Sequence, residues 1–159
     1  MKFHEFILED MESIMLEWER FARTLPPGKT MTIDALRNDA QSILRIIAYD
    51  MSLEETPQEQ RAKSRGEADL NELAMAFAKR HSNGRHEDGF DINELLAEYR
   101  ALRAVVIRLW TDKMSGADRN TLYELIRFNE ALDQALTYSV SEFFKNKQHY
   151  KIHRAQSSG

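Results

Sequence analysis

The chain has 159 residues, of which 42% are hydrophobic and 30% charged, a length and balance that suit one soluble domain with its own core. Its net charge of −4 argues against nucleic-acid binding, which needs a basic face, and the absence of cysteine excludes disulfides and thiolate chemistry. No apolar run approaches the roughly 20 residues of a membrane span and the N-terminus lacks a signal peptide's layout, so we expect a cytoplasmic protein.

Apolar residues recur at spacings of three and four along the first third of the chain. The pattern predicts one amphipathic helix over residues 3–25, with its glutamates, Glu19 among them, facing largely outward. A second helix is predicted over about residues 32–51. Residues 54–66 are polar and weakly periodic, so we expect a loop there, with at most one helical turn after Pro57.

A third helix is predicted before the well-defined fourth one, and a last helix after it. The third helix runs from Asp69 to about His81, and we expect Asn83-Gly84 to stop it because both residues tolerate the left-handed conformation. The last helix is long and covers about residues 118–147. Its predicted apolar face is formed by Leu122, Leu125, Ile126, Asn129, Leu132, Leu136, Val140, Phe143 and Phe144.

The fourth helix has the most complete local signals in the chain. Asp91 is placed to accept backbone N–H groups as the N-cap, and Glu94 completes a capping box three residues later. Phe90 and Leu95 have the spacing of a hydrophobic staple, and the helix is predicted to end near Lys113. Its predicted core stripe is formed by Leu95, Tyr99, Leu102, Val106 and Trp110.

No alternation typical of strands occurs along the chain, and no internal repeat is present. We therefore predict an all-α fold with about five main helices and a long C-terminal helix. Residues 1–147 are predicted to form a single domain. Residues 148–159 lose periodicity, so we expect a flexible tail or a remnant of cloning there.

The histidines next to the predicted turn invite a metal-site hypothesis. His81 and His86 flank a Gly-containing turn with Asp88 nearby, but their spacing matches no established ligand pattern. Histidines near a helix C-terminus commonly cap it and interact with its dipole. A haem ligand is an equally weak interpretation of His81. We therefore predict neither a metal nor a cofactor.

Charged residues lie beside the apolar stripes of the fourth and last helices. They are Glu98, Arg100, Arg103, Arg127 and Glu130. We interpret them as partly buried ion pairs that link these two helices and fix their register, in preference to an acid–base pair. Asn129 lies within an apolar stripe and is expected to find a hydrogen-bond partner in the core. No phosphate-binding loop or catalytic motif occurs, so no enzyme is predicted.

Two segments in order, HSNGRHEDGFDINELLAEYRALRAVVIRLW and LIRFNEALDQAL, resemble the N-terminal sensor domains of the RsbR type, the stressosome co-antagonist family. Such domains also occur at the front of many sensor histidine kinases. The matching positions are His81, Arg85, Gly89-Phe90, the run Glu98-Tyr99-Arg100-Ala101-Leu102-Arg103, Trp110, Arg127-Phe128-Asn129-Glu130-Ala131 and Asp133. The resemblance is strongest over residues 73–144.

The resemblance implies a globin-like helical domain without haem that dimerises and passes a signal through its C-terminal helix. It implies an output partner, either a histidine kinase of a two-component system or a stressosome-type signalling protein. The candidate structural and signalling residues are His81, Arg85, Phe90, Asp91, Glu98, Tyr99, Arg100, Arg103, Trp110, Arg127, Asn129 and Glu130. We expect a homodimer formed through the first and last helices.

Two alternatives differ from this interpretation in class. One is a ligand-binding globin relative that holds haem or an apolar molecule between its helices. The other is a small metal-dependent helical enzyme that uses His81, His86 and nearby acids. The sequence has no phosphoacceptor helix and no ATP-binding domain, so we expect any kinase activity to reside elsewhere.

Overall fold

The computed structural model describes residues 1–53, 55–65 and 72–157, without the side chains of residues 63, 64 and 147–157. Within these ranges the chain is helical and has no strand, so the all-α prediction is confirmed. The helices are α1 (Phe3–Glu9), α2 (Met11–Ala22), α3 (Ile33–Ser52), α4 (Pro57–Ser64), α5 (Glu72–Glu87), α6 (Ile92–Lys113) and α7 (Arg119–Ser157), with a 3-10 helix at Pro26–Thr30. The predicted long C-terminal helix is also confirmed, whereas the globin-like arrangement stays a prediction.

The predicted first helix is wrong in one respect, because it is divided at Asp10 into α1 and α2. Asp10 leaves helical geometry at φ −100° and ψ 15°, and its carboxylate accepts a 2.7 Å hydrogen bond from Lys113 of α6. The division lets α1 pack mainly on α3 while α2 packs mainly on α6. Glu19 was also predicted wrongly, since it is buried against α3, where Arg37 donates to it.

The polar segment after α3 is more helical than predicted. Within the described residues 55–65, α4 covers eight residues where a loop was expected. The Thr56 hydroxyl accepts a 3.1 Å hydrogen bond from the Glu59 N–H and so caps its first turn. The predicted helix start at Asp69 lies outside the described residues.

The stop of α5 was predicted six residues too early. The helix continues through Asn83-Gly84 and ends with Gly89 at φ +87°, a conformation that favours glycine. The Phe90 N–H donates to the Arg85 carbonyl at 2.9 Å and the Gly89 N–H to the His86 carbonyl at 3.2 Å. These two bonds form a Schellman motif, which places Phe90 back against the core.

The predictions for α6 are confirmed at both ends. The Asp91 carboxylate accepts from the Glu94 N–H at 2.8 Å, and the Glu94 carboxylate accepts from the Asp91 N–H at 3.0 Å. Phe90 and Leu95 are both buried, as a hydrophobic staple requires. The helix ends at Lys113, and its direction is fixed by the turn that also ends α5.

The last helix is longer than predicted, and its predicted apolar face is only partly buried. The Asp118 carboxylate caps it by accepting from the Thr121 N–H at 2.9 Å, and its backbone continues to Ser157. Leu122, Ile126 and Phe144 are 59%, 44% and 47% exposed. The α7 side chains that are buried among apolar neighbours are Phe128, Leu132, Ala135 and Phe143. The domain boundary at residue 147 stays a prediction.

The C-terminal end of α6 packs into a group of rings that we call the aromatic core: Phe3, Phe6, Trp110 and Phe128. The Trp110 ring centroid lies 5.0 Å from that of Phe3 and 5.3 Å from that of Phe6. Phe3 stacks on Phe128 of α7 at 5.0 Å. Trp110 is 4% exposed, which confirms its predicted place in the core. Among the described helices, none combines the length and the apolar character needed to cross a membrane.

Candidate functional site

A buried ion pair joins α5 to α6 in the interior of the molecule. The Arg85 Nε–H lies 2.9 Å from Glu98 Oε1 and 3.0 Å from Oε2. The two side chains are only 3% and 1% exposed. Arg85 is held here by the last turn of α5, and Glu98 by the second turn of α6 after its capping box. The local chemistry of the turn between the helices therefore sets the position of both charges.

The remaining Arg85 donors reach a third helix. Nη1 donates to the Ala35 carbonyl at 3.2 Å and Nη2 to the Leu36 carbonyl at 2.9 Å, both in the first turn of α3. The guanidinium also lies over the Phe90 ring, 5.1 Å from its centroid. Arg85 thus ties α3, α5 and α6 together, and a buried cation is tolerated because its donors are satisfied.

His81 lies one turn before Arg85 and is 4% exposed. Its Nε2 is 3.4 Å from Glu98 Oε1, and its ring meets Tyr99 edge-on at 5.8 Å between centroids. Its Nδ1 is buried without a hydrogen-bond partner and lies 3.9 Å from Oδ2 of Asp39 on α3. A cavity of about 10 Å³ borders His81 and Glu98. That is about the space of one water molecule and far below what a haem needs.

The surroundings keep Glu98 charged and Tyr99 neutral. Burial by itself raises the pKa of the Glu98 carboxyl, but nearby His81 and Arg85 outweigh it and hold that pKa below its ordinary value. Burial raises the pKa of the Tyr99 phenol far above its ordinary value. Tyr99 therefore serves as a hydrogen-bonding group and does not titrate at physiological pH.

Tyr99 connects this group of residues to α7. Its hydroxyl lies 2.6 Å from the Ser139 hydroxyl, which in turn donates to the Ala78 carbonyl at 3.0 Å. The Ser82 hydroxyl donates to the Ser139 carbonyl at 2.7 Å. We call His81, Arg85, Glu98, Tyr99 and Ser139 the polar cluster. Its contacts join α3, α5, α6 and the long helix in the interior.

The predicted ion pairs between α6 and α7 are only partly found. Glu98 was expected to pair toward the last helix, but it pairs with Arg85 of α5 because α6 turns this face toward α5 and α3. Arg103 does bridge to Asp133 of α7, at a partly exposed position. Arg100 is exposed. Asn129 and Glu130 are half-buried on α7, and Asn129 is not the core residue that was expected.

Arg127 belongs to a different contact, at the C-terminal end of α3. Its Nη1 donates to the carbonyls of Met51 and Leu53 at 3.1 and 2.9 Å, and its Nη2 donates to that of Asp50 at 2.8 Å. Its Nε also lies 3.3 Å from Glu55 Oε2. Arg127 thus donates to three carbonyls where α3 ends and anchors α7 there.

The two histidines of the metal-site hypothesis do not converge. His81 faces Glu98, whereas the His86 ring packs against Phe143 of α7 at 5.2 Å. In the ranges that the structure describes, no group of three or more His, Asp and Glu side chains is placed to hold a metal ion. The polar cluster is thus a set of buried charges and hydrogen bonds between helices.

Sequence reasoning did not identify Asp39, Ser82 and Ser139 as members of this region. Ser139 had a usable signal, because it falls four residues after Ala135 and four before Phe143, on the buried side of α7. A serine at such a position needs a partner in the core. Asp39 had no such signal, since its importance depends on how α3 packs against α5.

The comparisons with known proteins agree with the resemblance. A family model described as the RsbT co-antagonist protein rsbRD N-terminal domain matches residues 18–156, which include the whole polar cluster. No curated protein and no solved structure matches the chain. The resemblance to RsbR-type N-terminal sensor domains is confirmed. The chain belongs to the family of RsbT co-antagonist protein rsbRD N-terminal domains.

Proposed function

We propose that this chain is a non-enzymatic, cytoplasmic sensor domain that forms a homodimer and passes a signal through α7 to an output module. Its family is one of stressosome-type regulatory sensor domains, which supports the regulatory role. The proposed output is a histidine kinase or a stressosome-type signalling protein.

The observation that carries this proposal is the length and surface of α7. Its 39 residues correspond to about 58 Å at the usual rise per residue, whereas the next longest described helix has 22 residues. Leu122 and Ile126 are exposed one turn apart on its first part, and Phe144 is exposed further along. Exposed apolar side chains along a helix of this length suit a parallel helix pair that leads toward an output domain.

The first helices supply a second apolar surface. Leu8 of α1 and Leu16 of α2 are 52% and 42% exposed. The dimer that we propose uses this surface together with α7. A signal is then a small rotation or shift at the interface, of the kind that biases a two-state output.

Sedimentation analysis of the purified chain tests the dimer directly. We expect a dimer for the wild type and a monomer for the variant Leu122→Glu/Ile126→Glu, with unchanged helical circular dichroism. The matched control is Tyr49→Glu, which places a charge at an exposed residue of α3 and should leave the dimer intact.

A strictly monomeric wild type at high concentration would contradict the homodimer. The same preparation addresses the ligand-binding alternative. A Soret band, or an apolar molecule detected by mass spectrometry of the native protein, would favour a ligand-binding globin relative.

A further inference from the structure

His81 lies between two carboxylates that belong to different helices. Its Nε2 is 3.4 Å from Glu98 of α6, and its Nδ1 is 3.9 Å from Asp39 of α3. The first distance is close to a hydrogen bond, whereas the second exceeds one by about 1 Å. Nδ1 is also a buried nitrogen without a hydrogen-bond partner, which is uncommon in a core.

The protonation state of the imidazole decides what Nδ1 can do. When Nε2 carries the only proton and donates to Glu98, Nδ1 is an acceptor that faces another acceptor, the Asp39 carboxylate. When both nitrogens carry protons, Nδ1 becomes a donor toward Asp39. The ring can therefore bridge two helices only in its charged form.

We propose that His81, on α5, links α3 and α6 when its ring is protonated. In the protonated state, the ring donates to Asp39 and Glu98 together and draws α3 toward α5. In the neutral state, the ring donates only to Glu98 and makes no hydrogen bond with Asp39. The inference deepens the proposed sensor function, since it uses α7 as the element that carries the change onward.

Each of the two carboxylates beside His81 also has a guanidinium partner. Asp39 is shared with Arg80, at 2.6 Å, and Glu98 is shared with Arg85 at 2.9 Å. With a neutral ring, the two carboxylates and two guanidinium groups balance, and protonation adds one positive charge.

The other groups near the His81 ring come from α6 and α7 and are neutral. Tyr99 contributes a neutral phenol to the His81 ring edge, and α7 contributes the neutral hydroxyl of Ser139 through Tyr99. Histidine is the side chain whose ordinary change of charge lies near neutral pH, and the proposed link uses this change. The link stabilises the fold while the ring is protonated, and this contribution is lost as pH rises.

The route from His81 to α7 is short. The His81 ring meets the Tyr99 ring edge-on, with 5.8 Å between centroids, and the Tyr99 hydroxyl lies 2.6 Å from the Ser139 hydroxyl of α7. Ser139 is also bonded to α5 through Ala78 and Ser82. A change in the distance between α3 and α5 therefore alters the middle of α7, the helix that we propose as the output element.

The fluorescence of Trp18 can report on the surroundings of Glu98. The Trp18 indole N–H donates to the Glu98 carbonyl at 3.0 Å, and the chain has two tryptophans. In a Trp110→Phe background, Trp18 alone gives the fluorescence. We expect its emission to change in one step between about pH 5 and 8, the range in which a histidine titrates. The His81→Gln variant should lose this step, and His86→Gln, the matched control on the same helix, should keep it.

A second variant tests the link if His81→Gln does not fold. Asp39→Asn removes the carboxylate that favours the charged ring, so the midpoint of the step should move to lower pH. An unchanged midpoint in Asp39→Asn would overturn the proposal, as would a step that persists in His81→Gln or a flat wild-type profile.

Hydrogen exchange tests the connection to α7. After correction for intrinsic exchange, wild-type amides around Ser139 should exchange more slowly at pH 6 than at pH 8, and His81→Gln should lose this difference. A Trp18 step without any change in α7 would contradict the transmission. Both measurements are made on the chain whether or not it dimerises, so their failure is distinct from a failure of the proposed dimer.

Discussion

The two ends of α6 are buried equally well, but by different physical means. Trp110, near its C-terminal end, packs in the aromatic core and is 4% exposed. Glu98, near its N-terminal end, is 1% exposed and satisfies its charge with Arg85 of α5. The first contact depends on area and shape, whereas the second depends on charge and direction.

The difference separates two kinds of contact: apolar packing, which stabilises the fold, and a buried ion pair, which is sensitive to the loss of one partner. Apolar packing carries no charge and so responds little to pH or ions. A buried ion pair contributes little net stability while all its partners are present, but losing one partner is costly. The polar cluster is therefore a part of the molecule in which the loss of one partner has a large effect.

A large effect is expected from Glu98→Ala. Removal of this carboxylate leaves Arg85 buried without its counter-charge, which should lower the free energy of unfolding by about 3–5 kcal/mol. Urea denaturation at pH 7 measures this. The matched control is Glu17→Ala, which breaks the exposed ion pair with Arg108 and should change the free energy by less than about 1 kcal/mol.

The effect of Glu98 should also depend on pH, with a defined sign. Because the folded state lowers the pKa of this carboxyl, its contribution is present above the ordinary carboxyl range and is lost as pH falls through the lowered value. The stability difference between the wild type and Glu98→Gln should therefore shrink below about pH 4. A difference that is constant from pH 7 to pH 3 would show that Glu98 is not ionised in the fold.

Trp110→Ala tests the other end of α6. The cavity between Phe3, Phe6 and Phe128 should lower the free energy of unfolding by about 3–5 kcal/mol, and the loss should be independent of pH. Thermal unfolding at several pH values measures both properties. Trp110→Phe, which keeps a ring in the aromatic core, should retain most of the stability. A loss for Trp110→Ala that varies with pH like that of Glu98 would remove the distinction between the two ends.

The sequence was sufficient for the features that depend on local chemistry. Asp91 and Glu94 specify the start of α6 through bonds that span three residues, and such bonds need no tertiary context. The long last helix and the core position of Trp110 follow from periodicity alone. The all-α class was predictable for the same reason.

The features that the sequence did not determine depend on contacts between distant residues. Both Gly84 and Gly89 are possible stops for α5, and the choice of Gly89 depends on Phe90 docking against the core. The partner of Glu98 was assigned to the wrong helix, since Arg85, Arg100, Arg103 and Arg127 were all available in sequence. Only the packing of α3 against α5 and α6 selects Arg85.

Tyr99→Phe is a smaller change that tests the contact between α6 and α7 within the polar cluster. It removes one buried hydrogen bond, to Ser139, while Ser139 keeps its bond to the Ala78 carbonyl. We expect a loss of about 1 kcal/mol in the free energy of unfolding, measured by urea denaturation. Ser139→Ala should cost at least as much, because Tyr99 then loses the partner of its buried hydroxyl. A neutral Ser139→Ala would show that α7 does not depend on this bond.

The smallest effect is expected where the sequence had predicted a register-fixing pair. Arg103 and Asp133 join α6 to α7, but their side chains are 33% and 55% exposed. Solvent screens such a pair, so Arg103→Gln should change the free energy of unfolding by no more than about 1 kcal/mol, and less at high salt. Urea denaturation at low and high salt concentrations measures this. A loss as large as that of Glu98→Ala would mean that α6 and α7 are held together by charge, and that the polar cluster does not hold the dominant ion pair of α6.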